Sequence, residues 1–135
     1  MSMVFKLYTD SNLTQEFEWY NTDKLVFDAD GTGVLYFGST DSSMQCQKAG
    51  GGNFDITPTD ANPLSGHEAT EIKLATTSGG LSGATAGAAL TITAPVLGGV
   101  LNKREIHYSL TDGTGGGVAS TDLSLVFDTI EQLAI

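Results

Sequence analysis

Glu105-Ile106-His107-Tyr108-Ser109-Leu110 alternates polar and apolar residues without a break. Successive side chains of a strand point to opposite faces, so Ile106, Tyr108 and Leu110 share one face and Glu105, His107 and Ser109 the other. One apolar face and one wet face describe a half-buried strand of an antiparallel sheet. Similar runs recur on both sides. Leu123, Leu125 and Phe127 line one face of a last strand. Leu90 and Ile92 alternate with Thr91 and Thr93 as far as Pro95, which belongs at a strand end or edge. Ile72 and Leu74 flank Lys73, and Phe54 and Ile56 alternate with polar residues before Pro58.

The amino-terminal part reads the same way. Val4 to Tyr8 is a short strand ending in a polar turn cluster. Leu13, Phe17 and Trp19 share a face opposite Thr14, Glu16 and Glu18, and their aromatic and β-branched neighbours favour a strand over a helix. Leu25-Val26-Phe27 and Val34-Leu35-Tyr36-Phe37 bracket Asp28-Ala29-Asp30-Gly31-Thr32-Gly33, a hairpin signature with Asp-Gly in the turn. Between the strands lie weaker stretches. Residues 39–53, with Gly50-Gly51-Gly52, read as a flexible loop or a weak edge strand. Residues 60–66 and 112–117 read as loops. Residues 76–89 are almost wholly Ser, Gly, Ala and Thr, so a helix there would lose about 1 kcal/mol per Gly relative to Ala. A crossover loop docked by Leu81 is the reading for that tract.

About eight strands with turns between them predict one all-β domain over residues 1–135, an immunoglobulin-like β-sandwich of about seven to nine strands. A jelly roll is the alternative. The chain has 135 residues, of which 40% are hydrophobic and only 16% charged, enough apolar material for a core. Sixteen acids against six bases give a net charge of −10, which disfavours nucleic acid and anionic membranes as partners. The start of the chain has no basic stretch followed by an apolar one, so no secretory signal is expected, and no segment reaches the ~20 apolar residues of a spanning helix. Synthesis in a cytoplasm without export follows as an expectation.

Catalytic chemistry is sparse. Cys46 is the single cysteine and reads as an inert thiol rather than a nucleophile. Asp28, Asp30 and Thr32 with Gly33 match the opening of a calcium loop, but the twelfth position would be Ser39 where a Glu is expected, so a plain turn is preferred. His67 lies near Ser65 and Asp60 without a nucleophile-elbow motif, and His107 falls on a wet strand face beside Glu105. No cofactor is expected, and the reading is not an enzyme.

Several segments together carry a resemblance: Phe5-Lys6-Leu7-Tyr8-Thr9-Asp10, Val34-Leu35-Tyr36-Phe37-Gly38-Ser39, Ala69-Thr70-Glu71-Ile72-Lys73-Leu74-Ala75, Val96-Leu97-Gly98-Gly99-Val100, Glu105-Ile106-His107-Tyr108 and Thr121-Asp122-Leu123-Ser124-Leu125. In this order, over most of the chain, they resemble small virion structural proteins of tailed bacteriophages. The resemblance implies an immunoglobulin-like sandwich in the assembled particle. A head decoration or cement protein, binding the outside of the shell through the major capsid protein, is favoured over a tail, baseplate or fibre accessory. Homo-oligomers on the particle are expected. Contact is expected from Met3, Phe5 and Leu7 in the first strand, Gly51 in the glycine loop, and Gly80, Leu81 and Gly83 in the crossover. A glycan-binding module, with Trp19, Tyr20 and Tyr36 as an aromatic platform, is the reading from another class.

Overall fold

A computed structural model describes residues 4–17, 31–60, 69–110 and 123–135. Among them are ten strands: β1 (Lys6–Tyr8), β2 (Gly31–Gly38), β3 (Met44–Lys48), β4 (Phe54–Asp60), β5 (Ile72–Ala75), β6 (Leu90–Ile92), β7 (Val96–Leu97), β8 (Arg104–Leu110), β9 (Leu123–Phe127) and β10 (Ile130–Ala134). Short 3₁₀ turns at Ala69–Glu71, Gly79–Gly83 and Val100–Asn102 complete the regular structure. The strands form three antiparallel sheets, ordered β1-β2-β8-β5, β10-β3-β7 and β6-β4-β9. The chain is all-β and consistent with a β-sandwich.

β8 is central in the four-stranded sheet because its apolar face is continuous. It pairs Leu35 with Ile106 and Gly31 with Leu110 on β2, and Ile72 with Leu110 on β5. Ile106 is fully buried, Leu110 nearly so, and Glu105 is exposed, as the alternation requires. Phe37, at the inner end of β2, stands at the middle of an aromatic cluster. Its ring lies 6.1 Å from Phe5, 5.5 Å from Phe54 and 5.3 Å from Phe127, the last edge-on. Edge-on and offset pairs of this kind add about 0.5–1.5 kcal/mol each beyond the area they bury. Phe54 and Phe127 belong to the third sheet, while Cys46 and Val96 bring the second sheet into the same buried cluster. One core therefore serves all three sheets.

The second and third sheets are joined strand by strand. β3 runs into β4, β6 into β7 and β9 into β10, so the order β10-β3-β7 is repeated as β9-β4-β6. The result is a three-stranded ribbon interrupted along one line. Hydrogen bonds stitch that line: Ala49 donates to Thr129 O, Asp128 to Asp55 O, and Asp55 N–H to the Asp128 carboxylate. Side chains on its other flank help, since Ala94 N–H donates to Asn53 Oδ1. On the central strand the link is the glycine triplet, at φ 89°, 107° and 103°. Left-handed backbone at three consecutive residues is open only to glycine without strain. The turn closes on itself, Lys48 N–H donating to Gly52 O and Gly51 N–H to Lys48 O.

Several sequence expectations need correction here. Residues 39–53 hold a central strand, β3, and a closed turn, not a flexible loop or an edge. Pro58 lies inside β4 instead of ending it; β6 pairs β4 only at Phe54 to Ile56, so one flank of β4 at Pro58 needs no N–H. Residues 13–15, expected to begin a strand, instead continue the compact loop that the turn cluster at 9–12 opens. The Asp10 carboxylate organises it by accepting from the Thr14 hydroxyl and from the N–H groups of Thr14 and Gln15. Among the described residues of that run, a single bridge joins Tyr8 and Glu16, and its continuation at Glu18 and Trp19 lies outside them. The last strand is β10, one beyond Leu123–Phe127. By contrast, Pro95 does separate two strands, and Leu81 does dock the 76–89 crossover, buried on its 3₁₀ turn.

Candidate functional site

The second sheet separates its side chains cleanly by parity. Cys46 is the direct partner of both Gln132 and Val96, and this row faces the core. Gln45, one residue away, is the direct partner of both Leu133 and Leu97, and this row faces outward. Leu97 and Leu133 are 41% and 40% exposed. Ile135 continues the outer row, its N–H donating to Ser43 O, and is 67% exposed. Half-buried Gln47 donates from Nε2 to Glu131 Oε1 at 2.8 Å across the same face, and that oxygen also accepts from Gly50 N–H. Polar and charged groups thus border a row in which Gln45 separates two exposed leucines.

The border is acidic. At one end stands Glu131. Beyond the other end Asp41 accepts hydrogen bonds from the Ser43 hydroxyl and N–H, and these hold its carboxyl below the ordinary aspartate value. Asp41 is fixed in place from behind as well. The backbone at Gly98, just past Leu97, passes so close that a Cβ there would fall 1.9 Å from Asp41 O and 2.8 Å from Met44 O. Gly98 N–H donates to Met44 O at 2.8 Å, so glycine is required for that approach.

Among the described residues, two clefts offer less. A shallow cleft of about 190 Å³ lies between Thr76, Thr91, Thr93, Lys103, Arg104 and Glu105, and one of about 240 Å³ between Thr32, Val34, Ser78, Leu81 and His107. Both are below the roughly 300 Å³ at which small-molecule pockets begin. In the first, the Arg104 guanidinium donates to Pro95 O and the Lys103 ammonium to Val100 O, so both cations are engaged by backbone. In the second, His107 Nε2 lies 3.5 Å from Glu105 Oε1; Glu105 is exposed, but the His107 side chain is only 18% exposed, so it is more covered than the wet face its alternation suggested. Burial pushes the Cys46 thiol up to about 11, which leaves it unreactive in the folded chain.

The sequence-nominated contact residues fall into three groups. Phe5 is 3% exposed and Leu81 is 8% exposed. Both are spent on packing, so as partner contacts they are corrected: a side chain already removed from water has no surface left to offer. Leu7 is half-buried opposite Phe37, while Gly51, Gly80 and Gly83 lie on exposed turns. Met3, Asp28 and Asp30 lie outside the described residues, as do Trp19, Tyr20, Ser65 and His67. The cation-loop reading is corrected through Thr32, which is in β2 opposite Ser109. A strand beginning at Gly31 and a Ser39 only 1% exposed leave no twelve-residue loop to wrap an ion. Among the described residues no three His, Cys, Asp or Glu side chains gather in metal-binding range. Tyr36 is half-buried on the outer face of β2, opposite Tyr8 and Glu105.

Sequence reasoning missed the outer row because it did not read β7 or β10 as strands and read the β3 stretch as a flexible loop or weak edge strand. The signal was present in Met44-Gln45-Cys46-Gln47, where alternation is carried by Met and Cys instead of aliphatic residues. What the arrangement offers is adhesion: exposed Leu133, Leu97 and Ile135 around Gln45 on one sheet face, bordered by carboxylates. No protein-family model matches this chain, and neither does any curated protein or solved structure.

Proposed function

We propose that this chain is a non-enzymatic structural protein of a tailed-bacteriophage virion, a head decoration or cement protein that binds the outside of the capsid shell and stabilises it. The observation that carries the reading is the outer row Leu133–Gln45–Leu97 with Ile135, which suits attachment to a protein surface. The resemblance of the strand segments to virion proteins supplies the context. A net charge of −10 fits a protein carried in many copies on a surface facing away from packaged nucleic acid.

The mechanism is differential binding. A module that adheres only to the assembled shell stabilises it by the free energy of that attachment, multiplied over the lattice. Rigidity serves this role, because a preformed sheet face loses little conformational freedom on docking. The test is the copy number of the protein in purified particles, by quantitative mass spectrometry against the major capsid protein. A simple ratio with hundreds of copies per particle is expected. A few dozen copies would move the protein to tail, baseplate or fibres, and absence from particles would end the virion reading.

A further inference from the structure

We infer that the outer face of the β1-β2-β8-β5 sheet binds a linear, uncharged saccharide, laid across the strands on Tyr8 and Tyr36. The register sets four side chains in one line. Glu16 is the bridge partner of Tyr8, Tyr8 the direct partner of Tyr36, and Tyr36 the direct partner of Glu105. Direct partners share a face, so two aromatic rings stand side by side with a carboxylate at each end. With neighbouring strands about 4.8 Å apart, the row runs roughly 14 Å, the reach of a few joined pyranose rings.

Both tyrosines are half-buried. The core phenylalanines pack ring against ring. Among the described residues neither Tyr8 nor Tyr36 has such a contact, and neither hydroxyl has a hydrogen-bond partner. The negative face of an aromatic ring attracts the slightly positive C–H groups of a pyranose, and the phenol offers a donor and an acceptor to its hydroxyls. The carboxylates add acceptors. Glu16 receives Lys6 Nζ on Oε2 at 3.4 Å, and Glu105 Oε1 lies 3.5 Å from His107 Nε2, so each keeps its other oxygen among the described residues. These two side chains are 44% and 54% exposed, and a carboxylate has about four lone-pair sites to offer.

The row lies in a trough. Gly38 is two residues from Tyr36 and on the same face, and a Cβ there would stand 3.2 Å from Leu13 Cδ1, so the loop of residues 9–15 rises beside the row. Val34 and His107 lie two residues along β2 and β8 on the other side, and meet Ser78 and Leu81 in the cleft of about 240 Å³. That cleft is small by itself, but it forms one side of the trough.

The surroundings choose the occupant. A peptide adding as a strand is refused at β1, where Tyr8 already bridges Glu16 and Phe17 N–H donates to Leu7 O. An anionic ligand would meet two carboxylates and a net charge of −10, while Lys6, beside the row, is already paired with Glu16. An uncharged polyhydroxyl chain stacks on the rings and donates to the carboxylates. This function is separate from attachment to a particle, since it uses a different sheet from the Gln45 row.

The test titrates the full chain calorimetrically with cellotetraose, N-acetylated chitotetraose and tetragalacturonic acid. At least one of the two neutral tetramers should bind with a Kd below about 1 mM, and the galacturonate at least ~10-fold more weakly. Tyr8→Ala and Tyr36→Ala should each weaken binding at least ~10-fold. Ring-proton NMR of the wild type needs no variant to fold. The bound tetramer should move the Tyr8 and Tyr36 signals and leave Tyr108, whose ring lies across Gly33 on the opposite face. Binding of neither neutral tetramer, equal or tighter binding of the galacturonate, unchanged affinity in the folded variants, or shifts at Tyr108 without Tyr8 and Tyr36 would each overturn the inference.

Discussion

Replacing Phe37 with alanine tests whether three sheets truly share one core, and Cys46 in the second sheet is a built-in reporter. The Phe37 ring is 0% exposed and touches the rings of Phe5, Phe54 and Phe127. Truncating such a residue costs about 3–5 kcal/mol through lost transfer energy and the cavity left behind. Against a total stability of about 5–15 kcal/mol, the variant is folded but opens far more often. Cys46 is 0% exposed and its thiol is pushed up to about 11, so a thiol-reactive chromogenic disulfide labels it only when the surrounding structure opens. In the unfolded chain the thiol returns toward about 8.5 and reacts readily near pH 8. If the core is common, the labelling rate follows the open population, and every ~1.4 kcal/mol is a factor of ten. Phe37→Ala should therefore accelerate labelling by about a hundredfold to several thousandfold, and Phe37→Leu by less. Wild-type labelling in Phe37→Ala, alongside a lowered midpoint by circular dichroism, would refute the shared core. It would mean that the second sheet opens independently of the aromatic cluster.

Gly98→Ala forces a methyl group into the Asp41 backbone, and urea titration should show a loss of about 1–3 kcal/mol or more; a wild-type midpoint would mean that the Ser39–Met44 link yields freely. Leu133→Lys, at a 40% exposed position, should leave the thermal midpoint within the range of about 0.5 kcal/mol typical of surface changes, and a larger loss would show that this side chain belongs to the core. Asp10 and Asp41 are held below the ordinary value of 3.8, chiefly by the hydroxyls of Thr14 and Ser43 respectively. Depressed carboxylates contribute stability that is present above the unfolded value and lost as pH falls through the lower folded value. An Asp10→Asn/Asp41→Asn variant should accordingly show a flatter decline of Tm below about pH 4 than wild type, and parallel curves would remove these two groups from the acid response.

What was legible in the sequence was whatever rested on strong β formers. The apolar face of β8, the alternation of β5 and β6, and the Val34 to Phe37 end of β2 all appear where period two predicted, because Ile, Leu, Val and Phe leave no ambiguity about which face is buried. The second sheet stayed hidden. Its central strand is Met-Gln-Cys-Gln-Lys, its shortest has two residues, and its edge carries Glu and Gln, so neither propensity nor hydrophobicity marks it. It forms because Cys46 and Val96 fill the shared core, a tertiary reason no local window contains. The candidate site inherits that blindness: Leu97 is far in sequence from Leu133 and Ile135, and the two sides share a face only through Gln45 and Ser43. Conversely, Phe5 and Leu81 were nominated as contacts from their neighbourhoods, and their own hydrophobicity placed them inside.

The glycine turn between β3 and β4 also makes this protein a natural splice point for added sequence. Its hydrogen bonds are satisfied at its base, and side chains built at Gly50 or Gly52 would meet nothing within 4 Å. A foreign peptide inserted after Gly51 would leave and re-enter the chain in open solvent, where each doubling of loop length costs only about 0.6 kcal/mol. If hundreds of copies coat a shell, that turn becomes a display position repeated at lattice spacing, and cargo grafted there would leave both faces of the adjoining sheet untouched.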